Sequence, residues 1–286
     1  MTVTTPRQIF RQYLEGSQIG YPISVFDPVS ARLARHLGVD IGILGGSIAS
    51  ATILAAPDII VLTLSELTDQ VRRICRSTDV SLMVDADHGY GNALNVMRTI
   101  TELESAGAAA IGIEDTILPT AFGKNGPGLI STEEMLGKLH GAVASRKDPS
   151  LVIVARTSAL QYSTLDDAVN RAREYSKLGV DALMIVGATE RREIEAIRSE
   201  TTLPFVLGSA GGELTDAPFL EAKGVRIIIR GHQTYFVAMQ ALYQAMKHIA
   251  DGGSPSELGS LSASPELRSI VFNNAEYSEF QRDFLE

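Results

Sequence analysis

A junction that recurs along the chain constrains its fold more strongly than any other feature. At residues 37–41, 106–108, 178–182 and 223–227, a helical segment ends at a glycine and a short apolar run follows. A glycine just past a helix end adopts the left-handed backbone conformation without steric cost, so the chain can turn directly into a strand. Four such junctions therefore predict a series of alternating strands and helices.

Eight apolar runs supply the strands of this series. They are continuous rather than alternating, as in parallel strands that helices cover or that enclose a filled barrel. Thr5, Thr63 and Ser131, each followed three residues later by Gln or Glu, predict helix starts between them. We therefore predict an α/β fold, a (β/α)8 TIM barrel. The alternative is an open Rossmann-like sheet, but Gly45-Gly46-Ser47 lacks its G-x-G-x-x-G spacing. The predicted strands are 23–26, 41–44, 81–84, 109–113, 151–155, 182–186, 204–207 and 225–229.

The chain has one clear break. Its 286 residues would accommodate about two domains, but α/β barrels of about 250 residues form single domains. Gly, Ser and Pro cluster at 251–255, after a predicted helix over 235–250, and the stretch beyond is rich in aromatic residues. We expect residues 1–250 to form one catalytic barrel that includes an N-terminal helix. Residues 251–286 would be a helical tail docking on the barrel or on a partner subunit.

Composition excludes several classes of function. With 25 basic and 34 acidic residues the net charge is −9, which argues against nucleic acid as a partner. No run of about 18 apolar residues predicts a membrane span. The opening residues resemble no signal peptide, and the lone Cys75 cannot form an internal disulfide, so we expect a cytoplasmic protein.

Acidic residues follow two neighbouring strands. In a barrel the carboxyl ends of the strands meet at one face, where active sites lie. Asp85 and Asp87 are two apart on an extended chain and point the same way, and Glu114 ends the next strand. Carboxylates this close repel one another unless a cation neutralises them, and hard oxygen ligands suit Mg2+ or Mn2+. The alternative is a helix cap and a turn aspartate with no metal.

Other strand ends carry groups suited to an anionic substrate. Arg156 ends an apolar strand and must find an anion, either a substrate carboxylate or a structural partner such as Glu114 or Asp115. The turn at 45–47 offers backbone N–H groups and a hydroxyl, and His232 follows the last strand. This constellation suits a small 2-oxo acid that binds a metal and breaks a bond at C3 to give an enolate.

The chain also resembles a known group of enzymes. The stretches GGSIAS, LAAPD, LTLSE, DADHGYGNALNVMRT, IGIED, ARTSA and RGHQTYF are similar to those of the isocitrate lyase/phosphoenolpyruvate mutase superfamily. Within it, the likeness is to the bacterial oxaloacetate decarboxylase family, from about Arg7 into the tail. The resemblance implies a barrel whose eighth helix is swapped between subunits, in dimers that pair into homotetramers.

The resemblance also implies a metal site and its cofactor. Mg2+, or Mn2+, would be bound directly by Asp85. Asp87, Glu114 and Asp58, the last in LAAPD, would reach the metal through water molecules.

The resemblance further implies how a 2-oxo dicarboxylate substrate is held. Gly46, Ser47 and Arg156 would bind its carboxylate and carbonyl oxygens. His232 would contact the substrate and guide protonation of the enolate, so that Arg156 and His232 are the expected catalytic residues.

One loop departs from the superfamily pattern and decides between its reactions. Lyases of this superfamily carry a KKCGH loop with a catalytic cysteine, whereas residues 118–128 contain neither Cys nor His. Ser158 also stands where many relatives have Asp or Asn. We therefore predict a carboxy-lyase that decarboxylates oxaloacetate to pyruvate and CO2. Lys124-Asn125 weakly resembles the loop of phosphonopyruvate enzymes, which leaves P–C bond hydrolysis or rearrangement as an alternative. A non-catalytic metabolite-binding barrel is the rival from another class.

Overall fold

Eight parallel strands form one sheet that curls into a barrel, in a computed structural model that describes residues 4–124 and 126–286. Asn125, half of the Lys124-Asn125 pair, lies outside the described residues. The strands follow chain order from β1 to β8, and Gly20, just before β1, closes the ring onto β8. The amide of Gly20 donates to the carbonyl of Arg226 (2.8 Å), and the amide of Ile228 donates to Gly20 (3.0 Å). The predicted (β/α)8 fold is confirmed. The strands are β1 Ile23–Ser24, β2 Ile41–Leu44, β3 Ser81–Asp85, β4 Ala110–Glu114, β5 Val152–Thr157, β6 Ala182–Ile185, β7 Phe205–Leu207 and β8 Val225–Ile228.

Helices connect these strands and cover the outside of the barrel. Thr5 and Thr63 form the predicted capping boxes, and the Ser131 side chain accepts a hydrogen bond from the amide of Glu134. The four junction glycines have φ of +75°, +104°, +80° and +79°, the left-handed conformation that the sequence pattern requires. The helices are α1 Pro6–Glu15, α2 Pro28–His36, α3 Gly46–Leu54, α4 Leu64–Cys75, α5 Ala93–Ala106, α6 Thr132–Ser145, α7 Ala159–Tyr162, α8 Leu165–Tyr175, α9 Arg191–Arg198, α10 Ala217–Ala222, α11 Gln233–Ala250, α12 Pro265–Phe272 and α13 Asn274–Leu285, with 3-10 turns at Ser176–Leu178 and Pro255–Leu261.

The first strand is two residues shorter than predicted, and the cap of the following helix explains why. The backbone amides of Phe26 and Asp27 donate to the hydroxyl of Ser30, at 2.9 and 3.0 Å. Because the α2 cap takes these amides, they are not available for the sheet. β2 has the predicted bounds, and the ends of the remaining strands match the prediction or differ from it by one or two residues.

Helix α1 seals the barrel at the amino ends of the strands. Its Phe10 and Leu14 are buried among the apolar side chains that fill the barrel interior. Arg7 donates to the carbonyl of Ala108 (3.0 Å) and Arg11 to that of Ser150 (3.0 Å), just before β4 and β5. With this end closed, the barrel interior opens at the carboxyl ends of the strands.

The last three helices lie outside the barrel. In α11 no residue is buried, whereas Val271 of α12 is buried and its carbonyl accepts a hydrogen bond from Arg32 of α2 at 2.7 Å. Helix α12 thus packs on its own barrel, while α13 is exposed. Among the described residues, no helix combines the length and apolarity needed to cross a bilayer.

Candidate active site

The sequence-predicted site residues meet in one cavity of about 240 Å3 at the mouth of the barrel. Most come from the carboxyl end of a strand or from the loop after it, as the barrel rule requires, while Ser47 lies in the first turn of α3 and Asp58 in the loop after α3. Gly46 lies directly behind the cavity wall, against the Asp87 carboxylate. The predicted residues that line the cavity are Ser47, Asp58, Asp85, Asp87, Glu114, Arg156 and His232.

Arg156 is the centre of the charged half of this cavity. Its Nη1 lies 2.6 Å from Oδ2 of Asp85, and its Nη2 lies 3.0 Å from Oε2 of Glu114. Glu114 is directly opposite Arg156 in the β4–β5 register, so one pair is fixed by the sheet itself. The structural pairing considered from sequence therefore exists for Glu114. Arg156 is also the only cationic side chain among the described residues that line the cavity.

Asp115, the other partner considered for Arg156, faces away from the cavity. Its carboxylate accepts hydrogen bonds from Arg171 (3.1 Å), from the Tyr175 hydroxyl (3.0 Å) and from the backbone amide of Ser158 (3.1 Å). Successive residues of a strand point to opposite faces, which sends Glu114 inward and Asp115 outward. Asp115 thus fixes the ends of β4 and β5 from behind, and Ser158 takes part through its backbone.

The cavity contains four carboxylates and one guanidinium, and the pKa values of three of these carboxyl groups are raised. Burial, reinforced by Asp85 and Glu114, raises the pKa of Asp87 well above its usual value. Burial raises the pKa of Glu114 to about 7, although Arg156 opposes the shift. Asp58 lies at the exposed rim, and partial burial with the charge of Asp85 raises its pKa. Ionising all of these groups together is therefore costly unless a further cation is present.

The excess of carboxylates over cationic groups in the cavity bears on whether these residues fit a divalent metal. In residues 4–124 and 126–286, no three acidic, His or Cys side chains already stand close enough together to form a finished metal site. Asp85 and Glu114 are turned toward Arg156, while one Oδ1 of Asp85 also accepts the amide of Asp87 at 3.2 Å. The donor set itself is all carboxylate and has excess negative charge, which is the chemistry that Mg2+ and Mn2+ select. The residues present fit such an ion.

Two glycines of the 45–47 turn are required by what lies against them. A Cβ placed on Gly46 would lie 2.3 Å from Oδ1 of Asp87, and one on Gly45 would lie 2.6 Å from Nε2 of His232. Any larger residue would therefore displace a carboxylate or an imidazole of the site. Ser47 follows in the first turn of α3, where backbone N–H groups favour an anionic oxygen.

His232 is fixed by a residue that sequence reasoning missed. The hydroxyl of Ser24 lies 2.8 Å from Nδ1 of His232, and burial lowers the pKa of the imidazole below its usual value. Ser24 belongs to a two-residue strand and carries no motif, so no local signal marked it. Thr116, whose hydroxyl donates to Glu114 at 3.1 Å, was missed for the same reason.

The other half of the cavity is uncharged. Met184 and Val186 at the end of β6, with Ile229 after β8, face the carboxylate cluster across the mouth. Such apolar walls restrict water and strengthen electrostatic interactions inside the site. The sequence predicted β6 as a strand but gave its end no role.

Cys75 lies away from the site, in helix α4, whereas the 118–128 loop lies beside the cavity. Cys75 ends α4, and burial raises the pKa of its thiol to about 12, so it carries no reactive thiolate. Residues 119–124, 126 and 127 of the loop are exposed, and its base is closed where the amide of Ile117 donates to the carbonyl of Gly128 at 2.7 Å. Leu118 reaches the cavity wall, so the loop stands beside the open mouth.

Comparisons with known proteins agree with this architecture. Residues 10–250 match the sequence profile of the phosphoenolpyruvate phosphomutase family. An oxaloacetate decarboxylase of Bradyrhizobium sp. (strain BTAi1) is 46% identical over 286 residues, covering 100% of this chain and 99% of that protein. The crystal structure of a phosphonopyruvate hydrolase complex with oxalate and Mg2+ has a TM-score of 0.84 at 27% identity, covering 99% and 100% of the two chains. A 2,3-dimethylmalate lyase of the PEP mutase/isocitrate lyase superfamily has a TM-score of 0.83 at 25% identity, covering 98% and 100%.

Proposed function

The chain belongs to the phosphoenolpyruvate phosphomutase family, and we propose that it decarboxylates oxaloacetate to pyruvate and CO2 with a divalent metal ion. The observation that carries the proposal is the group of four carboxylates around one arginine in a single cavity. The identity of 46% over the whole chain to an oxaloacetate decarboxylase supports the choice of substrate.

Asp85, Asp87, Glu114 and Asp58 are the residues that would hold the metal. We assign Asp85 as the direct ligand and the other three as ligands through water, with Mg2+ or Mn2+ as the ion. When bound, the ion supplies positive charge beside the keto oxygen of the substrate, as a Lewis acid. Arg156 then has fewer negative charges to balance and is available to the substrate.

Arg156 and the 45–47 turn would bind the oxygens of the substrate. Burial disfavours the charged guanidinium, but Asp85 and Glu114 more than compensate and raise the pKa of Arg156, so the side chain stays cationic. We assign it to the C2 oxygen and a carboxylate oxygen, where its fork geometry suits two acceptors. The amide of Gly46 and the hydroxyl of Ser47 would bind the remaining oxygens of the C1 carboxylate.

Breaking the C3–C4 bond follows from this binding mode. The electron pair of that bond moves into the C2–C3 bond as CO2 leaves, and negative charge develops on the C2 oxygen. Arg156, whose place in the site is set by the β4–β5 register, stabilises that charge. A proton then adds to C3 to give pyruvate, with water or His232 as its source.

The decisive experiment measures pyruvate release from oxaloacetate by the purified protein with Mg2+. A coupled lactate dehydrogenase assay should show turnover well above the background that Mg2+ alone produces. Asp85→Ala should return the rate to that background. Absence of turnover in the unmodified protein would reject the proposal.

Phosphonopyruvate is the substrate of the second candidate. The structural similarity to phosphonopyruvate hydrolase, at 27% identity, and the Lys124 position favour including it. Release of phosphate from phosphonopyruvate, without pyruvate formation from oxaloacetate, would identify P–C hydrolysis. Tight oxalate binding with no turnover of either compound would instead indicate a metabolite-binding barrel.

The exposed apolar face of α11 supports a homo-oligomer. We propose that this helix is exchanged between barrels 1–250 in dimers that pair into tetramers, with tail 251–286 packed alongside. None of the α11 residues is buried, although apolar side chains are frequent along the helix. Light scattering should give the mass of four chains, and Leu242→Glu should lower it. The exposed apolar residues of α11 are Phe236, Val237, Met239, Leu242, Tyr243, Met246 and Ile249.

We also propose a cytoplasmic location, which cell fractionation would test.

A further inference from the structure

We propose that Ser24 is a positioning residue that holds His232 in the neutral tautomer carrying its hydrogen on Nε2. In that state the ring presents an N–H donor to the cavity. The inference rests on the proposed function, because it assigns a task to His232 within the same site.

The geometry begins with the place of Ser24 at the end of β1. Ser24 is only 5% exposed, and its Oγ lies 2.8 Å from Nδ1 of His232. Ser24 pairs with Ile43 in the β1–β2 register. Ile43 lies two residues before Gly45, the glycine that the imidazole faces. The serine therefore reaches His232 from the sheet, a rigid part of the molecule.

Counting hydrogens on the serine decides the tautomer. A hydroxyl has one hydrogen to donate, and His232 is the sole hydrogen-bond partner of the Ser24 side chain within the described residues. If Nδ1 carried a hydrogen, it would donate to Oγ and leave the buried hydroxyl hydrogen without an acceptor. If Nδ1 is the acceptor, both groups are satisfied, and the ring hydrogen resides on Nε2.

The opposite side of the ring faces the site. Nε2 lies against Gly45, close enough that a Cβ there would be 2.6 Å away, and His232 lines the cavity. The start of α11 is held as well, since the rings of Phe26 and Tyr235 meet edge to face with centroids 5.2 Å apart. Contacts from Ser24 of β1 and from Phe26 just after it thus fix both the rotation of the imidazole and the start of its helix.

A fixed Nε2–H makes His232 a hydrogen-bond donor rather than a base. It would donate to a substrate oxygen or to the water molecule that delivers a proton to C3. In this assignment C3 takes its proton from water, and the hydroxide that remains is neutralised by solvent protons. His232 itself gains and loses no proton during turnover.

The tautomer can be measured without any assay of activity. Protein labelled with 15N-histidine gives long-range 15N–1H spectra in which the two ring nitrogens of each tautomer differ, and His232→Gln identifies the signals. At pH 7.5 we expect protonated Nε2 and unprotonated Nδ1 in the unmodified protein. Protonated Nδ1 in that spectrum would overturn the proposal even if decarboxylation is confirmed.

Substitution separates positioning from simple stabilisation. Ser24→Ala should mix the tautomers and lower kcat by about tenfold, with a smaller change in KM. Ser24→Thr retains the hydroxyl and should keep both the spectrum and kcat. Ser81→Ala is the matched control, because it removes a buried strand serine that bonds to Pro6 at 2.7 Å at the sealed end. We expect Ser81→Ala to leave the tautomer and kcat unchanged.

A double substitution completes the test. Ser24→Ala added to His232→Gln should lower kcat no further than His232→Gln alone, because Ser24 acts through the imidazole. Independent losses in the two variants, or an unchanged tautomer in Ser24→Ala, would contradict the assignment. If oxaloacetate is not a substrate at all, the NMR result still stands by itself.

Discussion

The two ends of the barrel hold their acidic side chains in opposite ways. At the sealed end two acids are paired with arginines: Arg7 lies 2.5 Å from Asp148, and Arg146 lies 2.6 Å from Asp181. Hydrogen bonds from Ser150, together with Arg7, lower the pKa of Asp148 to about 2. At the mouth, burial raises the pKa values of Asp87 and Glu114 instead.

The difference shows which end is arranged for stability and which for chemistry. Ion pairs with satisfied partners fasten α1 across the strand starts, and their loss weakens the fold. Carboxylates with raised pKa values cost stability when they ionise, and such clusters mark functional sites. The mouth therefore carries a cost that a bound cation would offset.

The largest expected effect is the difference in kcat between a substitution at the mouth and one at the sealed end. Asp85→Ala should lower kcat for oxaloacetate by about 10³-fold or more, since it removes both the assigned metal ligand and a partner of Arg156. Asp148→Ala, at the sealed end, should keep kcat within about twofold. Steady-state kinetics with Mg2+ tests both, and equal losses would mean that the comparison is wrong.

A smaller loss is expected when the charge at the mouth is kept but its geometry changes. Arg156→Lys retains one positive charge but cannot contact Asp85 and Glu114 with two nitrogens of a planar fork. We expect kcat to fall by about 10²-fold. Kinetics at saturating substrate measure it, with Arg7→Lys as the matched change at the other end. Full activity of Arg156→Lys would contradict the role of bidentate geometry.

The next smaller effect is on the pH dependence of stability, to which Glu114 at the mouth and Asp148 at the sealed end contribute with opposite sign. A carboxyl group with a raised pKa in the fold favours the protonated state, so ionisation above its unfolded pKa destabilises the protein. Because the pKa of Glu114 is raised from 4.5 to about 7, the metal-free protein should lose stability as the pH rises from about 4.5 to about 7, and this loss is complete above that range. The midpoint of thermal unfolding should fall by about 5 °C. Asp148 has the opposite sign and loses its contribution only as pH falls toward about 2.

A scan in EDTA by differential scanning fluorimetry checks this slope. Adding Mg2+ should reduce it, because a bound cation favours the ionised carboxylates. A midpoint that rises from pH 5 to pH 7 without metal would show that the mouth carries no such cost.

The smallest effect concerns single neutralised acids. Asp87→Asn should raise the free energy of unfolding of the metal-free protein at pH 8 by about 1 kcal/mol, because a buried charge is removed. Asp148→Asn should lower it by about 1 kcal/mol, a value reduced by solvent screening of a partly exposed pair. Denaturant unfolding curves in EDTA measure both, and changes of the same sign would remove the contrast.

Much of the fold could be predicted because its signals are local. Each strand was a continuous apolar run, and each junction glycine marked the end of a helix. The superfamily resemblance was confirmed by the family profile over residues 10–250. Asp85, Asp87, Glu114 and Arg156 were recognisable because the carboxyl ends of barrel strands converge.

What the sequence could not predict depends on register and on contacts between distant segments. The sequence offered two neighbouring acids, Glu114 and Asp115, as partners for Arg156. The pleat of β4 directs Glu114 toward Arg156 and turns Asp115 outward, which the sequence alone does not show. Ser24 lies 208 positions from His232, on a strand too short to show a pattern. The helix swap, the tetramer and the domain boundaries stay predictions.

The closure of the barrel by α1 also bears on how the chain is synthesised. Arg7 bonds to a carbonyl 101 positions later, and Arg11 contacts Asp181, 170 positions later. Because α1 precedes every strand of the barrel, its docking surface is incomplete until about two thirds of the barrel has been translated. During that interval Phe10 and Leu14 stay exposed on the nascent chain, where they are natural targets for chaperones.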